Sequence, residues 1–432
     1  MRSRLFGATG RCVLIAGLLT LFPVAPAYAQ QSVAPLPDNS QACLQAPQGT
    51  YAAVPWAQQQ LAPQRVWPLT QGSGIIVAIV DTGVDAQTPQ LADGRVRRGV
   101  DVTTPANGPA DNDCYGHGTF LAGIIGAAAA VGTGFVGVAP GVTILPIRCA
   151  TAIATSETQS TSGTLTPASM ARGIRQGVDS GAQVINISAS TTAQDADLAA
   201  AVQYAAAHDV VVVASAGNSS KQGDPVTYPA AYPSVIAVGA VDATGKPADF
   251  SQTGPFVSLV APGVDVVSVG PGGPGQWQGS GTSYSAPFVA GTAALVRAYR
   301  PHLTAAQIKH RLEVTADHPA AVLPDPALGW GTVNPMAAVS IELPEEGAAR
   351  PTVVVGPQVR APDITPPDEL GPLLAVLGVL LVICFAFTLM AVSRLYDAGR
   401  RRGWRRARVV EVASPASISK DRSSANSRPT MP

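Results

Sequence analysis

The chain has 432 residues, of which 46% are hydrophobic and 13% charged. Its 28 basic and 28 acidic residues balance, so no overall charge marks it as a nucleic-acid binder. The balance hides a segregation: residues 393–432 hold ten Lys/Arg and three Asp/Glu, the first 29 hold three Arg and no acid, and the middle holds 15 basic and 25 acidic residues.

Residues 1–29 carry the pattern of a secretory signal peptide. Arg2, Arg4 and Arg11 precede the apolar stretch Val13 to Phe22, and Ala27-Tyr28-Ala29 supplies small residues for cleavage before Gln30. Cys12 lies ahead of the apolar run and so does not read as a lipoprotein cysteine. Residues 30–52 form an N-terminal extension too short to bury a core of its own. It is expected to pack on the domain that follows, residues 53–340.

Within that domain, Ile75 to Val80 is an apolar, β-branched run of the kind that fills a buried parallel strand. Asp81 stands at its carboxyl end, where open α/β sheets place their sites. His117-Gly118-Thr119 then leads into Leu121 to Ile125, which reads as a buried helix. Asp111 and Asp113 flank this loop and are taken as solvated rather than as a cation site. The stretch Ala127 to Phe135 offers no carboxylate or amide oxygen for a hard cation, so no metal and no cofactor is expected.

Thr143 to Cys149 reads as a core strand, and the Ser/Thr-rich Thr151 to Thr166 after it as a flexible inserted loop near the cleft. Ala214-Ser215-Ala216-Gly217-Asn218 follows later. Ser283 precedes a run rich in small residues (Ala286, Ala290, Gly291, Ala293, Ala294) that reads as a buried helix. Pro287 falls in the first turns of that helix, where a missing N–H is tolerated. A nucleophile at a helix N-terminus also gains from the helix dipole.

Residues 341–370 form a Pro-rich linker with six prolines and six acids, semi-rigid and extended. Residues 371–392 are 22 positions without a charge, enough at about 1.5 Å per residue to cross a membrane. Seven arginines follow between 394 and 408, and the positive-inside rule then keeps the tail, residues 393–432, in the cytoplasm and the larger domain outside. A single-pass, type I topology at the cell membrane results.

An aspartate after a strand, or an isolated His-Gly-Thr, is usually only a turn. Their order decides. Asp81, His117 and Ser283 follow the chain order Asp, His, Ser, each in small-residue context, and residues from about Ala53 to Val339 resemble a subtilase catalytic domain. That resemblance implies an α/β fold with a central, mostly parallel sheet flanked by helices. It implies that Ser283 is the nucleophile, His117 the general base and Asp81 the group that orients it. It further implies that the Asn218 side chain and the Ser283 backbone N–H donate to the oxyanion. Subtilases hold an extended peptide between two edge segments, which here are Asn186 to Ser190, including Ser188, Ala189 and Ser190, and Ala214 to Gly217. Ser188-Ala189-Ser190 departs from the family's Ser-Leu-Gly pattern, and neither wall holds an acid that would select Arg or Lys.

After signal removal three cysteines are exported: Cys43, Cys114 and Cys149, with Cys384 in the membrane span. Three single pairings are open. Cys149 ends a core strand and is read as a buried free thiol, which leaves Cys43 with Cys114. Closing that loop is worth about 4–5 kcal/mol in the chain-entropy model. A signal peptide, a short Cys-bearing extension, a cysteine just before His117, a Pro-rich linker and a C-terminal anchor together resemble the mycosins, as does the segment Gly281 to Pro319. This resemblance implies a membrane-anchored serine endopeptidase of type VII secretion, and equally a structural component that stabilises the secretion membrane complex with cleavage dispensable.

Overall fold

A computed structural model describes residue 34, residues 43–151 and 166–347, and the short runs 388–395, 397–399 and 401. The chain divides into two compact units, Met1–Pro351 and Thr352–Pro432.

The first unit is built on a sheet of seven strands. In chain order these are β1 (Ile76–Asp81), β2 (Val100–Asp101), β3 (Thr143–Arg148), β4 (Val184–Ile187), β5 (Val211–Ser215), β6 (Val235–Val241) and β7 (Leu259–Pro262). Their order across the sheet is β2-β3-β1-β4-β5-β6-β7, and every neighbouring pair is parallel. A separate antiparallel pair joins β8 (Val266–Val269) to β9 (Gln276–Gly279). The helices are α1 (Trp56–Leu61), α2 (His117–Gly126), α3 (Pro167–Asp179), α4 (Ala196–Ala207), α5 (Thr282–Tyr299), α6 (Ala305–Val314), α7 (Pro335–Ser340) and α8 (Pro344–Gly347).

The β-branched runs form these strands because both faces of the sheet are covered. Alternate residues of β1 enter different cores: Val77 and Ile79 join the one beneath α2 and α5, while Ala78 and Val80 join the one beneath α3 and α4. On α3, Met170, Ile174 and Val178 recur every fourth residue and turn one stripe to the sheet. Its start is fixed by a reciprocal cap between Thr166 and Ser169, with Pro167 in the first turn.

The chain leaves β1 toward one edge of the sheet and returns at β4 on the other side of β1. Asp81 ends β1 and Ser188 follows β4, so both stand at this switch point, at the carboxyl ends of the strands.

The described part of the N-terminal extension packs on the domain, as expected. Leu44 N–H donates to the Cys114 carbonyl at 2.7 Å, Gln276 N–H to the Gly49 carbonyl at 2.8 Å and Gly134 N–H to the Tyr51 carbonyl at 3.0 Å. Cys43 and Cys114 are joined by a disulfide, and Cys149 is a buried free thiol.

In the second unit, residues 388–395 are helical and exposed. No helix among the described residues is long and apolar enough to cross a membrane. The expected signal peptide, most of the loop 151–166, most of the linker and most of the stretch 371–392 lie outside the described residues.

Candidate active site

Four elements converge at the carboxyl edge of the sheet. β1 delivers Asp81 as its last residue, α2 delivers His117 as its first, α5 delivers Ser283 as its second, and Asn218 lies three residues past β5. Asp81 is wholly buried, His117 is buried, Ser283 is half-buried and Asn218 is exposed.

His117 Nδ1 lies 2.8 Å from Asp81 Oδ1. The same carboxylate oxygen accepts the backbone N–H of Thr82 at 2.9 Å, while Asp81 Oδ2 meets no donor among the described residues. The pair is this close because α2 has no side chain in the way: a Cβ on Gly118 would lie 2.0 Å from the Gly83 carbonyl oxygen. Gly116 caps the helix with φ at +81°, a conformation that favours glycine, and a Cβ there would strike Leu44 of the extension.

Asp113 departs from the solvated loop position expected of it. It is buried and caps α2 from four residues ahead of His117. Its Oδ2 accepts from Thr119 N–H at 2.9 Å and Thr119 Oγ1 at 2.7 Å, and its Oδ1 from Gly116 N–H at 2.9 Å and Tyr115 N–H at 3.1 Å. Thr82 Oγ1 also reaches Oδ1 at 3.0 Å. The loop is folded inward because helix α2 begins with orphan amides that a carboxylate satisfies well. An aspartate four residues before the histidine, with a threonine two residues after it, was the available signal.

Arg148 is a second supporting residue that the sequence reading did not single out. It lies opposite Asp81 in the β1–β3 register. Its Nε donates to the Thr82 carbonyl at 3.0 Å, its Nη1 pairs with Asp101 at 3.1 Å, and its Nη2 holds Asn112. It thereby clasps the end of β1 to the loop that leads into His117.

The electrostatics follow from burial and charge. Burial pulls the His117 imidazole down, but the charge and hydrogen bond of Asp81, with the charge of Asp113, outweigh it and leave the group above its ordinary value. Burial pushes the Asp113 carboxyl up against its hydrogen bonds to Thr119 and Gly116, and the Asp81 charge adds to the rise. Cys149 Sγ lies 3.7 Å from the Asp81 carbonyl, and burial with the Asp81 charge raises its thiol well above the ordinary value.

Ser283 Oγ donates to the Ser188 carbonyl at 2.9 Å, not to His117, and Ser188 Oγ donates to the Ser283 carbonyl at 2.7 Å. Pro287 is the sixth residue of α5, within its first two turns. The Asn218 amide is fixed through its oxygen, which accepts from Thr282 N–H and Thr282 Oγ1, each at 2.9 Å. Its nitrogen is thus left to face solvent. The two expected wall segments run on from adjacent strands, whose pairing ends at Ile187 with Ala214. Ser188, Ala214, Ser215, Ala216 and Gly217 are buried, and Ala189 and Ser190 half-buried. Among the described residues no cluster of His, Cys, Asp or Glu is arranged to hold a metal ion.

A model of the subtilase family of peptidases matches residues 72–331. The chain belongs to the subtilase family. Mycosin-4 of Mycobacterium tuberculosis (strain ATCC 25618 / H37Rv) is 38% identical over 374 residues, covering 78% of this subtilase and 81% of that protein. The crystal structure of MycP1 from the ESX-1 type VII secretion system superposes with a TM-score of 0.60 at 32% identity, covering 74% of this chain and 98% of that one. A chain in the structure of an intact ESX-5 inner membrane complex does so with a TM-score of 0.60 at 30% identity, covering 84% and 95%. This subtilase is therefore a subtilisin-like serine protease of the mycosin type.

Proposed function

We propose that this chain is a membrane-anchored serine endopeptidase of a type VII secretion system, acting at the outer face of the membrane. The observation that carries the catalytic reading is the 2.8 Å His117–Asp81 bond at the switch point of the sheet, with Ser283 at the start of α5 and the Asn218 amide locked by Thr282. In this reading Ser283 attacks the scissile carbonyl. His117 takes its proton and returns it to the leaving amine, while Asp81 holds the imidazole tautomer. The oxyanion is met by Asn218 Nδ2 and the Ser283 backbone N–H. An extended peptide lies between Ser188-Ala189-Ser190 and Ala214 to Gly217 as an added strand. Residues 1–29 direct export, 53–340 form the catalytic domain, 341–370 hold it off the surface and 371–392 anchor it, with 393–432 cytoplasmic.

A second role is favoured by one observation: the likeness to a chain of the ESX-5 inner membrane complex spans 84% of this chain, more than the subtilase domain alone. The protein then also stabilises the secretion complex. Complementation of a deletion strain with Ser283→Ala, scored for secretion and for processing of exported proteins, separates the two roles. Secretion restored with one exported protein left uncleaved supports a scaffold that also trims a client. Secretion lost at normal protein level makes catalysis the driver and removes the scaffold role.

A further inference from the structure

In an α-helix the amide of residue 287 would donate to the carbonyl of residue 283. Pro287 has no N–H, so within α5 the Ser283 carbonyl lacks its donor. The bond comes instead from the residue that follows β4, through Ser188 Oγ at 2.7 Å. That hydroxyl has one proton, and a neighbour sets its direction: Asn186 Nδ2, which can only donate, points at Ser188 Oγ from 3.0 Å. Asn186 is wholly buried on β4 and Ser188 is 2% exposed, so neither finds water as a substitute. Asn186 also lies opposite Ile79 in the β1–β4 register, two residues before Asp81.

We propose that Asn186 and Ser188 are positioning residues for Ser283, replacing from the end of β4 the hydrogen bond that Pro287 removes from α5. A donor inside the helix would tie Ser283 to α5 alone. A donor one residue past β4 ties it to the strand paired with the one that carries Asp81, so one strand pair sets the spacing of nucleophile and acid. With its main chain held in this way, Ser283 keeps the rotation of its own hydroxyl as its freedom. The proposal rests on Ser283 being the nucleophile.

The test is the rate at which a fluorophosphonate probe labels the full-length protein in detergent, for wild type, Ser188→Ala, Pro287→Ala and the double variant. Ser188→Ala is expected to label about tenfold more slowly, with kcat lowered and KM held, since the Ser188 backbone is unchanged. In the Pro287→Ala background the same change is expected to cost less than about threefold, because the introduced alanine supplies the missing N–H within the helix. Equal slowing in both backgrounds overturns the proposal, as does wild-type labelling by Ser188→Ala. Should Ser188→Ala not accumulate, Asn186→Ala reads the same effect at about threefold, relieved likewise by Pro287→Ala; no relief overturns the proposal. A wild type that does not label at all is a different failure, since it removes Ser283 as nucleophile and this inference with it.

Discussion

Asp81 and Asp113 meet at a single hydroxyl: Thr82 Oγ1 lies 3.2 Å from one carboxylate and 3.0 Å from the other. It has one proton to give, and Gly118 N–H occupies its oxygen at 3.1 Å. Two buried carboxyls therefore stand behind one imidazole, and both favour its charged form.

The first prediction concerns pH. His117 is raised above its ordinary value, so the acid limb of kcat/KM is expected above pH about 6.5. Asp113→Asn removes one of the charges that raises it, and the limb is expected to move to lower pH. The linkage sign follows. A raised His117 contributes stability that is full below its unfolded value and lost as pH rises through the folded one. A pH–rate profile of both proteins on one fluorogenic peptide checks this; an unmoved limb in Asp113→Asn refutes the Asp113 contribution.

Removing Asn218 tests the oxyanion assignment. Asn218→Ala is expected to lower kcat by about 100- to 1,000-fold with KM little changed. Steady-state kinetics decide it, and a fall confined to KM would place Asn218 in substrate binding instead.

The disulfide is expected to carry much of the extension's contribution. Cys43→Ser with Cys114→Ser should cost about 2–5 kcal/mol, read as a lower midpoint in denaturant and reproduced in wild type by reductant. An unchanged midpoint would show that Leu44, Gly49 and Tyr51 hold the extension without it.

Cys149 is buried with its thiol pushed well above the ordinary range. Alkylation of the native protein, mapped by mass spectrometry, should leave Cys149 unmodified until the chain unfolds. Fast labelling under native conditions would place it in an accessible path to Asp81.

Much of this was legible in the chain. The β-branched runs at Ile75 to Val80 and Thr143 to Cys149 became adjacent parallel strands because both faces of the sheet are buried, and that pattern has few other uses. Cys43 and Cys114 paired as the burial of Cys149 implied. Asp113 and Arg148 were not legible as support, because a charged residue reads as solvated unless the partners that compensate its burial are known. Those partners, Thr119 and Gly116 for one and Asp101 and the Thr82 carbonyl for the other, are brought in by folding. The Ser188–Ser283 exchange spans 95 positions, and no local spacing encodes it.

The bond between Cys43 and Cys114 also changes what a cut in this chain can do. Hydrolysis of any peptide bond between those two residues opens the backbone but leaves both pieces joined through sulfur. The product is a two-chain molecule whose smaller part stays tied to Cys114, three residues ahead of the helix that begins with His117. A single cut before Cys43 sheds the residues ahead of it, whereas a single cut between the two cysteines sheds nothing until sulfur is reduced, so gels run with and without reductant would distinguish trimming from nicking by whether a second fragment separates.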